Sequence, residues 1–182
     1  MKINKASIHL AIYVLAIIFL GFSIFRIFLM PSEKNTSSTA SLFASVINDP
    51  EGRPQDLKQF ENKIIVLNFW ATWCEPCREE MPELSNFYSE NKSKNVVVVG
   101  IAIDEAKAVK SYLKKTKVIY PILVDEDKGV ILSKNLGNNQ GILPYTVIIN
   151  SKGIIQKTIL GRIHNDQLDG ILKPLLQPSK SL

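Results

Sequence analysis

The two cysteines of this chain fall in one tetrapeptide, Cys74-Glu75-Pro76-Cys77, and the segments on either side of it restrict the fold more than anything else in the sequence. Before it, Lys63-Ile64-Ile65-Val66-Leu67-Asn68-Phe69-Trp70 is a short, β-branched apolar run, which reads as a strand buried on both faces. The chain then turns at Ala71-Thr72-Trp73, and a helix can run from Cys74 to about Asn91. A C-x-x-C at the start of a helix brings both sulfurs within bonding reach across one turn. The unpaired N–H groups and partial positive charge there favour thiolate over thiol at Cys74. Thiolate is the attacking species in disulfide exchange. Cys77, one turn further in, sits better buried and can attack the mixed disulfide to release product. Pro76 is tolerated in the first turn because no hydrogen bond from its nitrogen is required there. The alternatives are a zinc site and an inert disulfide. Zinc wants four ligands, but there is no second pair and His164 is the sole histidine of the domain. An inert disulfide closing so short a loop would add little stability. The pair therefore reads as redox-active, with no metal.

The rest of the domain continues the alternation. Asp49-Pro50-Glu51-Gly52 is a turn signal, so Leu42 to Ile47 is a candidate edge strand of a hairpin. Val96 to Ile103 is a second buried strand, and Ile122-Leu123-Val124 a third, short one. Asp104 can cap a helix from Glu105 to about Thr116, with Ala106, Val109 and Leu113 at core spacing. The opposite face carries Lys107, Lys110, Lys114 and Lys117, a solvated stripe or, less simply, a dock for acidic partners. Lys128 to Asn135 is a short helix. Tyr145 to Asn150 and Ile154 to Leu160 are strands joined by a hairpin turn, and Asp166 to about Gln177 can close the domain as a helix despite Gly170 and Pro174. Strands alternating with helices imply an α/β domain, and the final hairpin makes the central sheet mixed, with helices on both faces.

The first thirty residues are different in kind. Ile8 to Phe25 is an apolar run long enough to cross about 30 Å of hydrocarbon as a helix. Lys2 and Lys5 precede it, as expected on a cytoplasmic side, although Arg26 and Lys34 follow it. Phe28-Leu29-Met30-Pro31 is a poor cleavage site, which favours an uncleaved signal-anchor over a removed signal peptide. The expected organisation is a transmembrane anchor over 1–30, a flexible Ser/Thr-rich linker over 31–41, and a redox domain over 42–182. With 22 Lys+Arg against 17 Asp+Glu, the net charge of +5 is modest and spread out, so no nucleic acid is expected as partner.

The stretch Val66-Leu67-Asn68-Phe69-Trp70-Ala71-Thr72-Trp73-Cys74-Glu75-Pro76-Cys77-Arg78-Glu79-Glu80-Met81-Pro82, together with Gly141-Ile142-Leu143-Pro144-Tyr145-Thr146-Val147-Ile148-Ile149-Asn150, resembles the thioredoxin superfamily. Within it the chain is similar to the membrane-anchored TlpA/ResA-like thiol-disulfide oxidoreductases of bacteria. The likeness runs in pattern over about Leu42 to Leu176, including the extra helix and strand between Glu105 and Val124. It implies a thioredoxin-like fold and a cis peptide bond at Leu143-Pro144, with Leu143, Pro144 and Tyr145 beside the substrate. Tyr145 departs from the Thr more usual there. The resemblance also implies that Trp73 shields the disulfide and that Trp73 and Pro76 help to dock the substrate.

Where thioredoxin has a buried carboxylate on the strand before its active site, this chain has Asn68, which cannot transfer a proton; Glu80 matches an acidic residue of the ResA-like branch. A carboxylate near Cys77 could raise thiol pKa values or accept a proton, unless Glu80 is merely a helix-surface residue. Glu79 is expected to be exposed and paired with nothing in particular. Glu75, between the sulfurs, opposes ionisation of Cys74 and argues for a reductant, while Arg78 pulls the other way.

Two functions follow. The first is a monomeric oxidoreductase without a cofactor, anchored as a single-pass protein in the bacterial inner membrane with its domain facing the periplasm or extracytoplasmic space. It would reduce oxidised extracytoplasmic proteins, apocytochrome c among the options, with electrons from a membrane donor of the DsbD/CcdA type. The second is a copper-handling module using both thiolates, with His164 as the candidate third ligand. A peroxidase fits less well, because the Thr-x-x stretch normally preceding a peroxidatic cysteine is not evident.

Overall fold

Two unbroken apolar runs form the centre of the sheet. In a computed structural model, which describes residues 13–22 and 36–176, β3 (Ile64–Trp70) and β4 (Val96–Ala102) are buried at every position. They pair in parallel from Ile64↔Val96 to Trp70↔Ala102. A parallel pair needs a crossover, and here helix α3 (Glu75–Asn91) and a 3-10 turn (Lys92–Lys94) supply it. After α4 (Ala106–Leu113), β5 (Ile122–Val124) adds to β4, again in parallel. Helix α5 (Glu126–Asn135) follows, and then β6 (Tyr145–Ile149) returns antiparallel along β3. β7 (Ile155–Leu160) folds back on β6 through a turn in which Asn150 Oδ1 accepts from the amides of Lys152 and Ile154. On the far side β1 (Val46–Asn48) pairs antiparallel with β5, and β2 (Pro54–Asp56) with β1. The order is β2-β1-β5-β4-β3-β6-β7, a mixed seven-stranded sheet of thioredoxin-like α/β type.

Alternation along the strands divides the core into two layers. One face holds Val66, Trp70 and Ile148 against Met81, Leu84 and Phe87 of α3, Val109 of α4, and Leu168 and Leu172 of α6 (Asn165–Leu176). The other holds Leu67, Phe69, Tyr145 and Val147 against Leu42 of α2 (Thr36–Phe43), Leu57 of a 3-10 turn, and Leu132 of α5. Burial of such a side chain is worth about 1.5–3 kcal/mol, which anchors α6 through Leu168 and Leu172 although it runs through Gly170 and Pro174.

Three expectations need correcting. The Ser/Thr-rich stretch is helical from Thr36, not a tether to Ser41; Thr39 Oγ1 donates to Gly153 O at 2.7 Å and Leu42 is buried. Leu42 therefore lies in the last turn of a helix that ends at Phe43, and the hairpin strand is only Val46–Asn48, lying inside the sheet with β2 at the edge. Finally, α4 starts one residue late and ends at Leu113, because Asp104 is engaged elsewhere. The lysines 107, 110, 114 and 117 are exposed, as the stripe requires.

The chain divides into two units, Met1–Lys34 and Asn35–Leu182. In the first, α1 covers 13–22, with Tyr13, Leu15, Ile17 and Phe19 exposed. Among the described residues no helix is long and apolar enough to cross a membrane. The rest of the apolar run (Ile8 to Ile12 and Ser23 to Phe25), its flanking charges, and Pro31 to Asn35 lie outside the described residues.

Candidate active site

The end of β3 is fixed before the cysteines begin. The carbonyl of Trp70 accepts from the Ile103 amide at 2.8 Å. The next turn is held by Asp104, whose Oδ2 accepts from the Thr72 amide at 2.8 Å and the Thr72 hydroxyl at 2.5 Å. Its Oδ1 accepts from the Glu105 amide at 2.8 Å. The carboxylate expected to cap α4 thus anchors the approach to the cysteines, and Glu105 occupies the cap position without a side-chain bond. From the helix side, Arg78 Nη1 donates to the Thr72 carbonyl at 2.8 Å.

Cys74 is the N-cap of α3, with extended backbone (φ −87°, ψ 106°), and no side chain caps the helix. Cys74 therefore sits at the positive end of a 17-residue helix whose first-turn amides no side chain caps. Cys74 and Cys77 are joined as a disulfide, their Cα atoms 5.3 Å apart. Cys77 is fully buried and Cys74 is 6% exposed, so an attacking or leaving sulfur reaches the pair from the Cys74 side. Around it Glu75 and Pro76 are exposed, and Trp73 is 67% exposed, the large apolar side chain nearest the pair in sequence. Trp70, by contrast, is wholly core.

The Leu143-Pro144 bond is cis. Pro144 is buried, and Leu143 packs half-buried against the layer that contains both cysteines. Tyr145 does not belong with them. Its ring lies in the opposite core layer, 6.1 Å from that of Phe69, and its hydroxyl donates to Leu136 O at 2.7 Å. Its backbone is registered between Phe69 and Leu160, so neither part of the residue is available to a substrate.

Glu80, on the buried face of α3 one turn after Cys77, is fully buried and not a helix-surface residue. Its Oε1 accepts from Asn68 Nδ2 at 2.7 Å and its Oε2 from the Ile163 amide at 3.0 Å. Burial pushes its pKa up to about 7, and the two hydrogen bonds and the nearby Arg162 charge only partly oppose that. β3, α3 and the segment after β7 thus meet at this carboxylate, and Asn68 ties in β6 by donating to Thr146 Oγ1 at 3.1 Å.

Sequence reasoning missed the partners of α3's outer face. Glu79 does have a partner: Arg162 donates to it through Nη1 and to Glu83 through Nη2, the latter at 2.7 Å. The i, i+4 spacing of Glu79 and Glu83 was the only available signal. His164 Nδ1 lies 3.5 Å from Glu83 Oε2, so the residue considered as a copper ligand is engaged by a carboxylate. Among the described residues no three His, Cys, Asp or Glu side chains stand together as a metal site.

Compared with known proteins, residues 39–158 match the model of the AhpC/TSA family. The thiol-disulfide oxidoreductase ResA of Bacillus cereus (strain ZK / E33L) is 30% identical over 177 residues, covering 96% of this chain and 99% of that protein. ResA of Bacillus subtilis (strain 168) is 30% identical over 182 residues, covering 99% and 98%. Among solved structures, a thioredoxin-related protein from Neisseria meningitidis serogroup B is 34% identical with a TM-score of 0.64, over 72% of this chain and 98% of that one. A thiol:disulfide interchange protein of the thioredoxin family from Chlorobium tepidum TLS is 27% identical with a TM-score of 0.63, over 73% and 93%.

Proposed function

The chain belongs to the AhpC/TSA family of the thioredoxin superfamily and is a thiol-disulfide oxidoreductase related to ResA; from that premise we propose that it is a reductant of extracytoplasmic protein disulfides. The observation that carries this is the placement of Cys74 at the uncapped start of α3 with Cys77 buried behind it. In the reduced protein, the Cys74 thiolate attacks one sulfur of the substrate disulfide. That bond breaks, and the departing substrate sulfur takes up a proton. Cys77 then gives its proton to Glu80 and attacks the Cys74 sulfur. The mixed disulfide breaks, the second substrate sulfur leaves as a thiolate that takes up the proton held by Glu80, and the Cys74–Cys77 bond forms. The substrate has gained two electrons and the protein has lost two. A group that ionises near 7 can accept a proton and return it in the same cycle.

Exposed Trp73, next to Cys74 in the chain, and half-buried Leu143, before cis Pro144, are the apolar side chains we assign to a seat for the substrate. The apolar run Ile8 to Phe25 supports a membrane anchor over 1–30, with the domain on the extracytoplasmic side. A thiol pair held at a membrane draws its electrons most directly from a membrane donor of the DsbD/CcdA type. Apocytochrome c, with paired cysteines, is the substrate class we favour. The test is a Cys77→Ser variant, in which the mixed disulfide at Cys74 cannot resolve. Extracytoplasmic proteins with paired cysteines should accumulate on it and be released by dithiothreitol. If nothing is trapped, and the wild-type pair equilibrates only with strongly oxidising couples, the reductant reading is wrong.

A further inference from the structure

The residues just after β7 form a short clamp on α3. Gly161, at φ +86°, turns the chain, and its amide donates to the Pro144 carbonyl at 2.9 Å. Arg162 forks between Glu79 and Glu83, one helical turn apart. Ile163 buries its side chain in the layer that holds both cysteines and gives its amide to Glu80 Oε2. The His164 amide donates to Gln167 Oε1 at 3.2 Å, where α6 begins. Four consecutive residues thus join the cis-proline, the buried carboxylate, the outer face of α3 and the start of α6.

Surface ion pairs contribute little to stability, so an Arg held by two carboxylates on a catalytic helix invites another explanation. The Ile163 amide is one of two donors to Glu80, and a donor that holds the ionised form must stay in place to do so. The backbone at Ile163 has no strand partner of its own, because β7 ends at Leu160 and α6 starts at Asn165. Its position is fixed by its buried side chain and its neighbours, of which Arg162 grips α3 at two carboxylates and His164 lies 3.5 Å from one of them. We propose that Arg162 is a positioning residue for the disulfide-exchange reaction: by forking between Glu79 and Glu83 it locks the Ile163 amide onto Glu80. This deepens the oxidoreductase reading and rests on Glu80 serving as the proton acceptor there.

Around Glu80, the Arg162 charge lowers its pKa and the Glu83 charge raises it, and Asn68 and the Ile163 amide hydrogen-bond it. Cys77, Glu79 and Glu83 share its helix, Thr146 accepts from Asn68, and His164 lies against Glu83. Before β5 lies Tyr120, whose hydroxyl is buried and whose pKa burial and the Glu80 charge both push up. Removing Arg162 withdraws a positive charge and loosens a donor. Both disfavour the carboxylate, so the direction is upward.

The test follows the Glu80 carboxyl by carbon NMR or infrared difference in the full chain with the disulfide closed, so that no thiol titrates. Arg162→Gln should raise the Glu80 midpoint by about half a pH unit or more and speed hydrogen exchange of the Ile163 amide. Arg162→Lys keeps the charge but cannot fork; it should fall between wild type and the Gln variant, and it serves alone if the Gln variant does not fold. Unchanged midpoints in the folded variants overturn the proposal. A Lys variant at the wild-type midpoint beside a raised Gln variant overturns it too, by assigning the effect to charge without placement. The oxidoreductase reading fails separately, if the wild-type chain does not exchange with dithiothreitol.

Discussion

Asn68 donates its side-chain amide to Glu80 Oε1 at 2.7 Å, joining the middle of β3 to α3 inside the core. The pair explains how a polar residue is accommodated in a strand buried at all seven positions. Asn68 supplies hydrogens to Glu80 and to Thr146, while its own Oδ1 has no protein partner among the described residues. An amide does not ionise near neutrality, so of these three residues Glu80 alone can take up or release a proton.

That protonation should be visible in stability. Burial lifts the Glu80 pKa from 4.5 to about 7, so between those values the folded protein holds a proton that the unfolded chain has released. Stability of the oxidised protein should therefore fall as pH rises through that window. Asp49 and Glu83 are shifted downward, so the stability they add is present above their ordinary values and lost at lower pH, outside this window. In Glu80→Gln the decline between about pH 4.5 and 7 should disappear. Urea unfolding across that range measures it, and an unchanged slope would show that Glu80 is not the group responsible.

Asp104 should matter more than an exposed cap would. It accepts from the amide and hydroxyl of Thr72 and from the Glu105 amide. Asp104→Ala should cost about 1–3 kcal/mol and slow exchange at Cys74 by loosening the turn that delivers it. Denaturant unfolding gives the first quantity, and reduction of the Cys74–Cys77 bond by dithiothreitol the second. Loss of stability without slower exchange would reduce Asp104 to a structural tie.

The parts of this site legible in the sequence are those written within a few residues of one another. The apolar run before the cysteines gave β3, the C-x-x-C gave the helix start, and Ile122–Val124 is a strand over the expected residues. What could not be read are ties between distant residues. Thr72 and Asp104 are 32 residues apart, and Arg162 and Glu79 are 83 apart, so neither local propensity nor periodicity reports them. Asp104 looked like a cap because a carboxylate before a helix usually is one. Tyr145 failed as a docking residue for a different reason: adjacent strand residues point to opposite faces, so beside Pro144 in sequence means across the sheet in space.

Gly100 sits opposite Asn68 in the β3–β4 register and gives room to the rings behind the site. A Cβ there would lie 2.7 Å from Ile122 Cδ1 and 3.2 Å from both Trp70 Nε1 and Tyr120 Cε2. The Ile methyl can swing aside, but the two buried rings have little freedom. Gly100→Ala should therefore destabilise by about 1–3 kcal/mol. Gly170 is the control, with nothing within 4 Å of its Cβ position on a helix, and Gly170→Ala should stabilise by about 0.5–1 kcal/mol. Thermal or denaturant unfolding of both variants decides whether space or glycine content is at issue.

Glu75 tests the direction of electron flow. It is exposed in the first turn of α3, next to Cys74 in the chain. A negative charge at a helix start is favourable by itself, but beside a thiolate it repels the charge that the helix would otherwise stabilise. Arg78 does not simply cancel it, because its guanidinium is engaged by the Thr72 carbonyl. Replacing Glu75 by Gln should therefore make the Cys74 thiolate easier to form and the reduced state more stable. A more stable reduced state means a more oxidising couple, and the potential should rise on the order of 10–20 mV. Equilibration of wild type and Glu75→Gln with the same dithiothreitol buffer measures the difference. An unchanged or lowered potential would mean that the field at Cys74 is set by the uncapped helix amides and Arg78, with Glu75 only a solvated neighbour.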